Sequence, residues 1–189
     1  MRRAVRFLLV LWALYLMPAP AGGAEEVYYA RCNLKVSEGN EITWINWQAA
    51  PTFLPVGTRF QVTKQGSKAT LVHVETKTTY TLDIGADGEA FLEKFVITHP
   101  ADIAQFPEDV RENIHKAIAK VGMTKEQVYI AMGPPTNVGK TRTNTLIYDK
   151  IMASDQWIYA RRRFGKNIGV AFDPSSGQVT RTEGIWGKD

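Results

Sequence analysis

Cysteine is nearly absent from this sequence: Cys32 stands alone among 189 residues. No internal disulfide can form, so the fold must hold without covalent staples. Histidine is almost as scarce, with His73, His99 and His115 spread along the chain. That scatter gives none of the close spacing that metal ligands need, and no cofactor is implied. No uninterrupted apolar run long enough to span a bilayer is present, because the longest, Phe7 to Met17, falls well short of roughly 20 residues. A strong charge of one sign is missing as well. The formal net charge is +4, but Arg2, Arg3 and Arg6 contribute three of the 23 basic residues. Beyond Ala24 the chain holds 20 basic and 19 acidic residues. The basic pI near 9.2 therefore does not argue for nucleic acid as a partner.

What stands at the start is an address. A positive stretch, the apolar run and the small-residue segment Pro18-Ala19-Pro20-Ala21-Gly22-Gly23-Ala24 are the parts of a secretory leader. Cleavage is expected after Ala24, so residues 1–24 are read as a signal peptide and the rest as secreted to the periplasm. Arg31 directly before Cys32 argues against a lipoprotein. The alternation Tyr28, Ala30, Cys32, Leu34, Val36 puts the thiol on the apolar face of a strand, where free cysteine packs as a small hydrophobe.

The hydrophobic period changes midway, which predicts two small domains. Over residues 25–98 the apolar signals are short and β-like: Val27 to Val36, Ile42 to Trp47, Phe60 with Val62, Val72 with Val74, and Tyr80, Leu82, Ile84. Gly57, Gln65-Gly66-Ser67 and Asp87-Gly88 punctuate them as turns. At least five strands without a long helix predict a small all-β barrel, whose closure removes exposed edges. Glu89 to Val96 suits either a strand or a short helix. Residues 99–107 read as a linker around His99-Pro100.

Residues 108–189 predict an α+β domain. Pro107, Glu108 and Asp109 suit a helix start. Val110, Ile114, Ala117, Ile118 and Val121 fall on one helical face, with Gly122 as the stop. Thr124 to Gln127 fits a capping box, and Gly133-Pro134-Pro135 ends the second helix. No Lys-Ser or Lys-Thr follows Gly133, so this is not a phosphate loop. Strands are expected at Leu146 to Ile151, Trp157 to Arg163, Ile168 to Phe172 and Gln178 to Thr182. Asp173 to Gly177 forms a turn. Two helices followed by an antiparallel sheet make a two-layer sandwich.

The segment Val121-Gly122-Met123-Thr124-Lys125-Glu126-Gln127-Val128, with Met132-Gly133-Pro134-Pro135, resembles the BamE (SmpA/OmlA) family over roughly residues 108–186. The resemblance rests on Gly122, Met123, Thr124, Gln127, Val128, Gly133 and Pro135. It implies a non-catalytic adaptor at the inner face of the outer membrane that assists assembly of outer-membrane proteins and touches lipid headgroups. The same plan resembles β-lactamase inhibitor repeats, which implies an inhibitor of a periplasmic enzyme. Leu54 to Val62, with Gly57-Thr58, resembles the strand entry of bacterial Src-homology-3-like barrels, which bind peptides or cell-wall polymers.

Two candidate binding faces follow. On the strand from Trp157, period two puts Trp157, Tyr159, Arg161 and Arg163 on one face. An aromatic-then-cationic face of that kind suits a partner protein or anionic headgroups. In the first half Trp44, Trp47 and Phe53 form an aromatic cluster, suited to stacking against a sugar or peptide if exposed. Neither half offers a nucleophile beside a base, so no catalytic residue and no enzyme activity are expected.

Overall fold

The computed structural model describes residues 26–44, 52–86, 88–160 and 167–184. It is a mixed α/β structure in which two sheets follow one another along the chain. The first sheet has eight strands: β1 (Val27–Ala30), β2 (Leu34–Ser37), β3 (Glu41–Thr43), β4 (Thr52–Leu54), β5 (Arg59–Gln65), β6 (Lys68–His73), β7 (Thr79–Asp83) and β8 (Val96–Ile97). Their order is β4-β2-β3-β7-β6-β5-β1-β8. β1 and β2 are only three residues apart yet lie near opposite ends of that order. The sheet must therefore curl round until its ends meet at Arg31–Asn33. Tight turns at Gly57 and Gly66, both with positive φ, supply the reversals expected of them. The ambiguous segment before Val96 forms one turn of helix, α1 (Gly88–Leu92), whose Phe91 and Leu92 are buried.

In the second half α2 (Glu108–His115) and α3 (Lys125–Met132) precede a five-stranded antiparallel sheet. Its strands are β9 (Asn137–Val138), β10 (Thr141–Arg142), β11 (Gln156–Tyr159), β12 (Ile168–Phe172) and β13 (Val179–Glu183), with α4 (Tyr148–Met152) inserted before β11. The sheet order is β10-β9-β11-β12-β13. The α3 start is the expected capping box: Thr124 Oγ1 accepts from the Gln127 backbone N–H, and Gln127 Oε1 accepts from the Thr124 N–H. Gly133 stops the helix with φ +74°. Around Asp173 the carboxylate accepts from the N–H groups of Ser175 and Ser176, as turn aspartates do.

Three expectations are corrected. The segment from Leu146 is not a strand but leads into α4, where Lys150 and Ile151 both donate to the Ile147 carbonyl. Short apolar runs do not distinguish the two periods, and Tyr148, Ile151 and Met152 reach the core at helical spacing. α2 ends at His115, well before Gly122, and Val121 is 66% exposed. The helix closes in a left-handed cap: Ala117, at positive φ, donates its N–H to the Ile114 carbonyl and Ile118 donates to the Asn113 carbonyl, while Asn33 Nδ2 adds a second donor to Ile114 at 2.6 Å. Finally, residues 99–107 are not a free connector, since Ala101, Ile103 and Phe106 pack against the core.

One hydrophobic cluster runs through both halves, from Ala30, Leu71 and Phe95 to Ile114, Tyr129 and Trp157. β2 shows why. Leu34, Lys35 and Val36 are all buried, so both faces of this strand are covered, one by its own sheet and the other by the second half. Asn33 fastens the junction. Its Nδ2 donates to the carbonyls of Ile114 and Ala131, its Oδ1 accepts from the Val56 N–H, and its own N–H donates to Ile130. Arg31 adds a bond to the Glu93 carbonyl and lays its guanidinium 4.0 Å from the Tyr148 ring centre. Lys94 donates to the Thr143 carbonyl, and Tyr129 donates to the Lys94 carbonyl.

Candidate functional site

The cationic-aromatic face does not form as read from the alternation. Trp157 and Tyr159 are 0% and 1% exposed. The Trp157 indole donates to the Ile151 carbonyl and packs edge-on to Phe172 at 4.8 Å, and Tyr159 donates to the Gly133 carbonyl. The period was read correctly and the sides were exchanged. Large rings bury the most apolar area, and α3 and α4 offer them carbonyl partners, so Ile158 and Ala160 take the outer side, half-buried. Arg161 and Arg163 lie outside the described residues. The family-type residues serve the fold: Gly122 donates its N–H to Val179, Met123 and Val128 are buried, and the Pro135 carbonyl accepts from Thr143.

The first-half aromatics divide differently. Trp47 lies outside the described residues. Phe53, on the strand β4, is 39% exposed. Trp44 is half-buried and stands edge-to-face on Phe91, with ring centres 6.1 Å apart. These two rings belong to a cleft of about 490 Å³. Its walls come from three places: Ile42 to Trp44 after β3 begins, Leu82 to Ala86 at the end of β7, and Asn144 and Thr145 from the second half. The backbone explains the opening. β3 and β7 are parallel and share a single register pair, Glu41 with Thr81. The residues that follow on each strand line the cleft instead of pairing with each other. Glu41 and Asp83 bring two exposed carboxylates to the lining, and among the described residues no lysine, arginine or histidine lines it. Phe91 had no prior signal, because α1 was ambiguous in the sequence.

A larger cleft, about 800 Å³, lies beside β1, β8 and α1. Four of its charges pair with one another: Arg31 with Glu93, and Lys64 with Glu89. A third opening, about 160 Å³, lies over β11, β12 and β13 where Gly169 leaves room beside Glu183; it is too small for a polymer segment.

Several titratable groups outside these clefts are buried or hydrogen-bonded. Burial pushes the Cys32 thiol up to about 12, so it stays protonated at neutral pH and is a poor nucleophile. Burial likewise raises the Tyr129 and Tyr159 hydroxyls. Lys35, 2% exposed, sits with Nζ 5.5 Å from the Tyr159 ring centre, and burial lowers its ammonium to about 7. It lines none of the three clefts. His73 Nδ1 accepts from the N–H groups of Glu75 and Thr76, and the ring rests edge-on against Phe60. Among the described residues no helix is long and apolar enough to cross a membrane. Comparison of the chain with family models, curated proteins and solved structures finds no match.

Proposed function

We propose that this chain is a non-catalytic binding module of the bacterial cell envelope, which holds a partner protein in the cleft between Trp44 and Phe91. The observation that carries this reading is the construction of the cleft. Both halves of the chain contribute to it, its floor is aromatic, and its rim is polar and open. Concave sites with apolar floors and few polar groups are the usual places for ligand recognition. The leader-like start and the BamE-like helix pair agree with an envelope adaptor. The Src-homology-3-like reading of the curled sheet agrees with a module that takes peptides.

The alternatives lose the features they needed. A headgroup-binding face on β11 loses its two rings to the core. Residues 133–136 and Val138 are buried, so the stretch around Pro134 presents no protruding apolar loop of the kind an inhibitor would insert. The test is photo-crosslinking in whole envelopes, with a photoreactive residue placed at Ala86 or Thr145 on the cleft rim and at Thr180 on β13 as control. A discrete adduct with an envelope protein from the rim positions, absent from Thr180, supports the reading. Equal labelling from all three removes it.

A further inference from the structure

We infer that the cleft selects a cationic side chain, lysine or arginine, carried by an extended segment of the partner polypeptide. This rests on the reading of the cleft as a protein-binding site, and it adds the chemistry of the occupant. Three observations converge. Trp44 presents an indole, the aromatic ring with the strongest attraction for a cation, and Phe91 lies beside it. Glu41 and Asp83 also line the cleft, one from each strand, and neither forms an ion pair among the described residues. Asp83 Oδ1 accepts from the Gly85 N–H, which leaves its second carboxylate oxygen. Among the described residues no base lines this cleft; Lys94 lies with Nζ 4.3 Å from the Phe91 ring centre, donating to the Thr143 and Asn144 carbonyls. In the larger cleft, by contrast, every acid but Glu26 has a cationic partner.

Charge and rings together select against anionic occupants and favour a cation over a neutral group. The shape selects a chain. Two of the walls are parallel stretches of backbone that part after one register pair. Binding modes in which an extended segment lies along a strand draw affinity from the main chain and specificity from single side-chain pockets. Here the pocket between Trp44 and the two carboxylates takes the cationic tip, while Asn144 and Thr145 close one end.

The experiment uses the chain with short acetylated, amidated peptides of alanine and serine that differ only at the centre: lysine, arginine, norleucine or glutamate. Binding is followed through the indole N–H resonance of Trp44, assigned with the Trp44→Phe variant. Lysine and arginine peptides are expected to move that resonance, with affinity falling as salt rises, since exposed charge is screened. The norleucine peptide is expected to bind at least about fivefold more weakly, and Glu41→Gln and Asp83→Asn to weaken the lysine peptide by about two- to fivefold each, the range of exposed ion pairs. Both substitutions are exposed, and asparagine keeps an acceptor for the Gly85 N–H, so folding is unaffected. Equal binding of norleucine and lysine, or lysine binding indifferent to both neutralisations, overturns the cationic selection. So does a Trp44 resonance that no peptide moves at millimolar concentration. If the rim crosslinks are obtained alongside any of these results, the adaptor reading stands and only the cation is lost; if they too fail, both are.

Discussion

Replacing Lys35 with methionine should flatten the pH dependence of stability between pH 7 and pH 9. Lys35 lies on β2 where both faces are buried, and its folded-state ammonium is lowered to about 7 from an ordinary 10.5. Above pH 7 the folded protein has released this proton while the unfolded chain still holds it. Stability therefore rises with pH, by about 1.4 kcal/mol per unit at the limiting slope. Below pH 7 both states are protonated and the slope vanishes. Above pH 9 the rise levels off, because the unfolded chain loses the Cys32 thiol proton near 9.0 while the fold keeps it up to about 12, which offsets the Lys35 slope. Tyr129 and Tyr159, both raised by burial, act in the same direction above pH 10. The wild-type protein should gain about 2 kcal/mol from pH 7 to pH 9 through Lys35. Methionine has no proton to gain, fits a similar volume, and removes that increment. The assay is urea unfolding at pH 6, 7, 8 and 9 for both proteins, read as the difference of differences so that the histidines cancel. A variant with the same rise as wild type would refute the assignment of the slope to Lys35.

Asn33→Leu should cost about 3 kcal/mol or more in chemical unfolding, because two carbonyls and one N–H lose their partner inside the junction; a loss below about 1 kcal/mol would show that water replaces the amide. Trp157→Ala should cost about 3–5 kcal/mol by the same measurement, the range for buried aromatic truncation, whereas a surface ring would cost almost nothing. Cys32 should react slowly with a thiol reagent in the native protein and at once after denaturation, and fast native labelling would expose an opening fluctuation at the junction. Thermal unfolding should show one transition by far-UV and near-UV circular dichroism together, since one core serves both halves; two separated transitions would restore independent domains.

Local signals were legible where local physics decides. The capping box at Thr124, the stop at Gly133, the Asp173 turn and the burial of Cys32 were all readable from residue type and spacing, and each depends on neighbours within a few positions. The elements that were misread depend on distant ones. α2 ends early in a cap at Ala117, a residue type that gives no signal for a positive φ, and Asn33, 81 positions away, donates to the Ile114 carbonyl within that cap. β11 faces inward because α3 and α4 supply the carbonyls that Trp157 and Tyr159 need. The hairpin of β9 and β10 carried too short a pattern to register. Of the site, Trp44 was visible as an aromatic in a cluster. Phe91, Glu41 and Asp83 were not, since only the curl of the sheet and its single β3–β7 pair bring them together.

The bend at Arg31–Asn33 also sets a timetable. The second residue cluster that Asn33 grips, at Ile130 and Ala131, lies about a hundred positions downstream. A chain emerging from its N-terminus reaches β8 with the outer face of β2 still bare and the Asn33 amide unsatisfied. Loop closure over such separations must occur before any of these contacts reward it, and long sequence separation slows folding. Until α3 is present the early sheet lacks this cover over β2, a window in which an uncovered strand is open to aggregation. Truncating the chain before Tyr129 lengthens that window indefinitely, so the first half made alone should be the less soluble product.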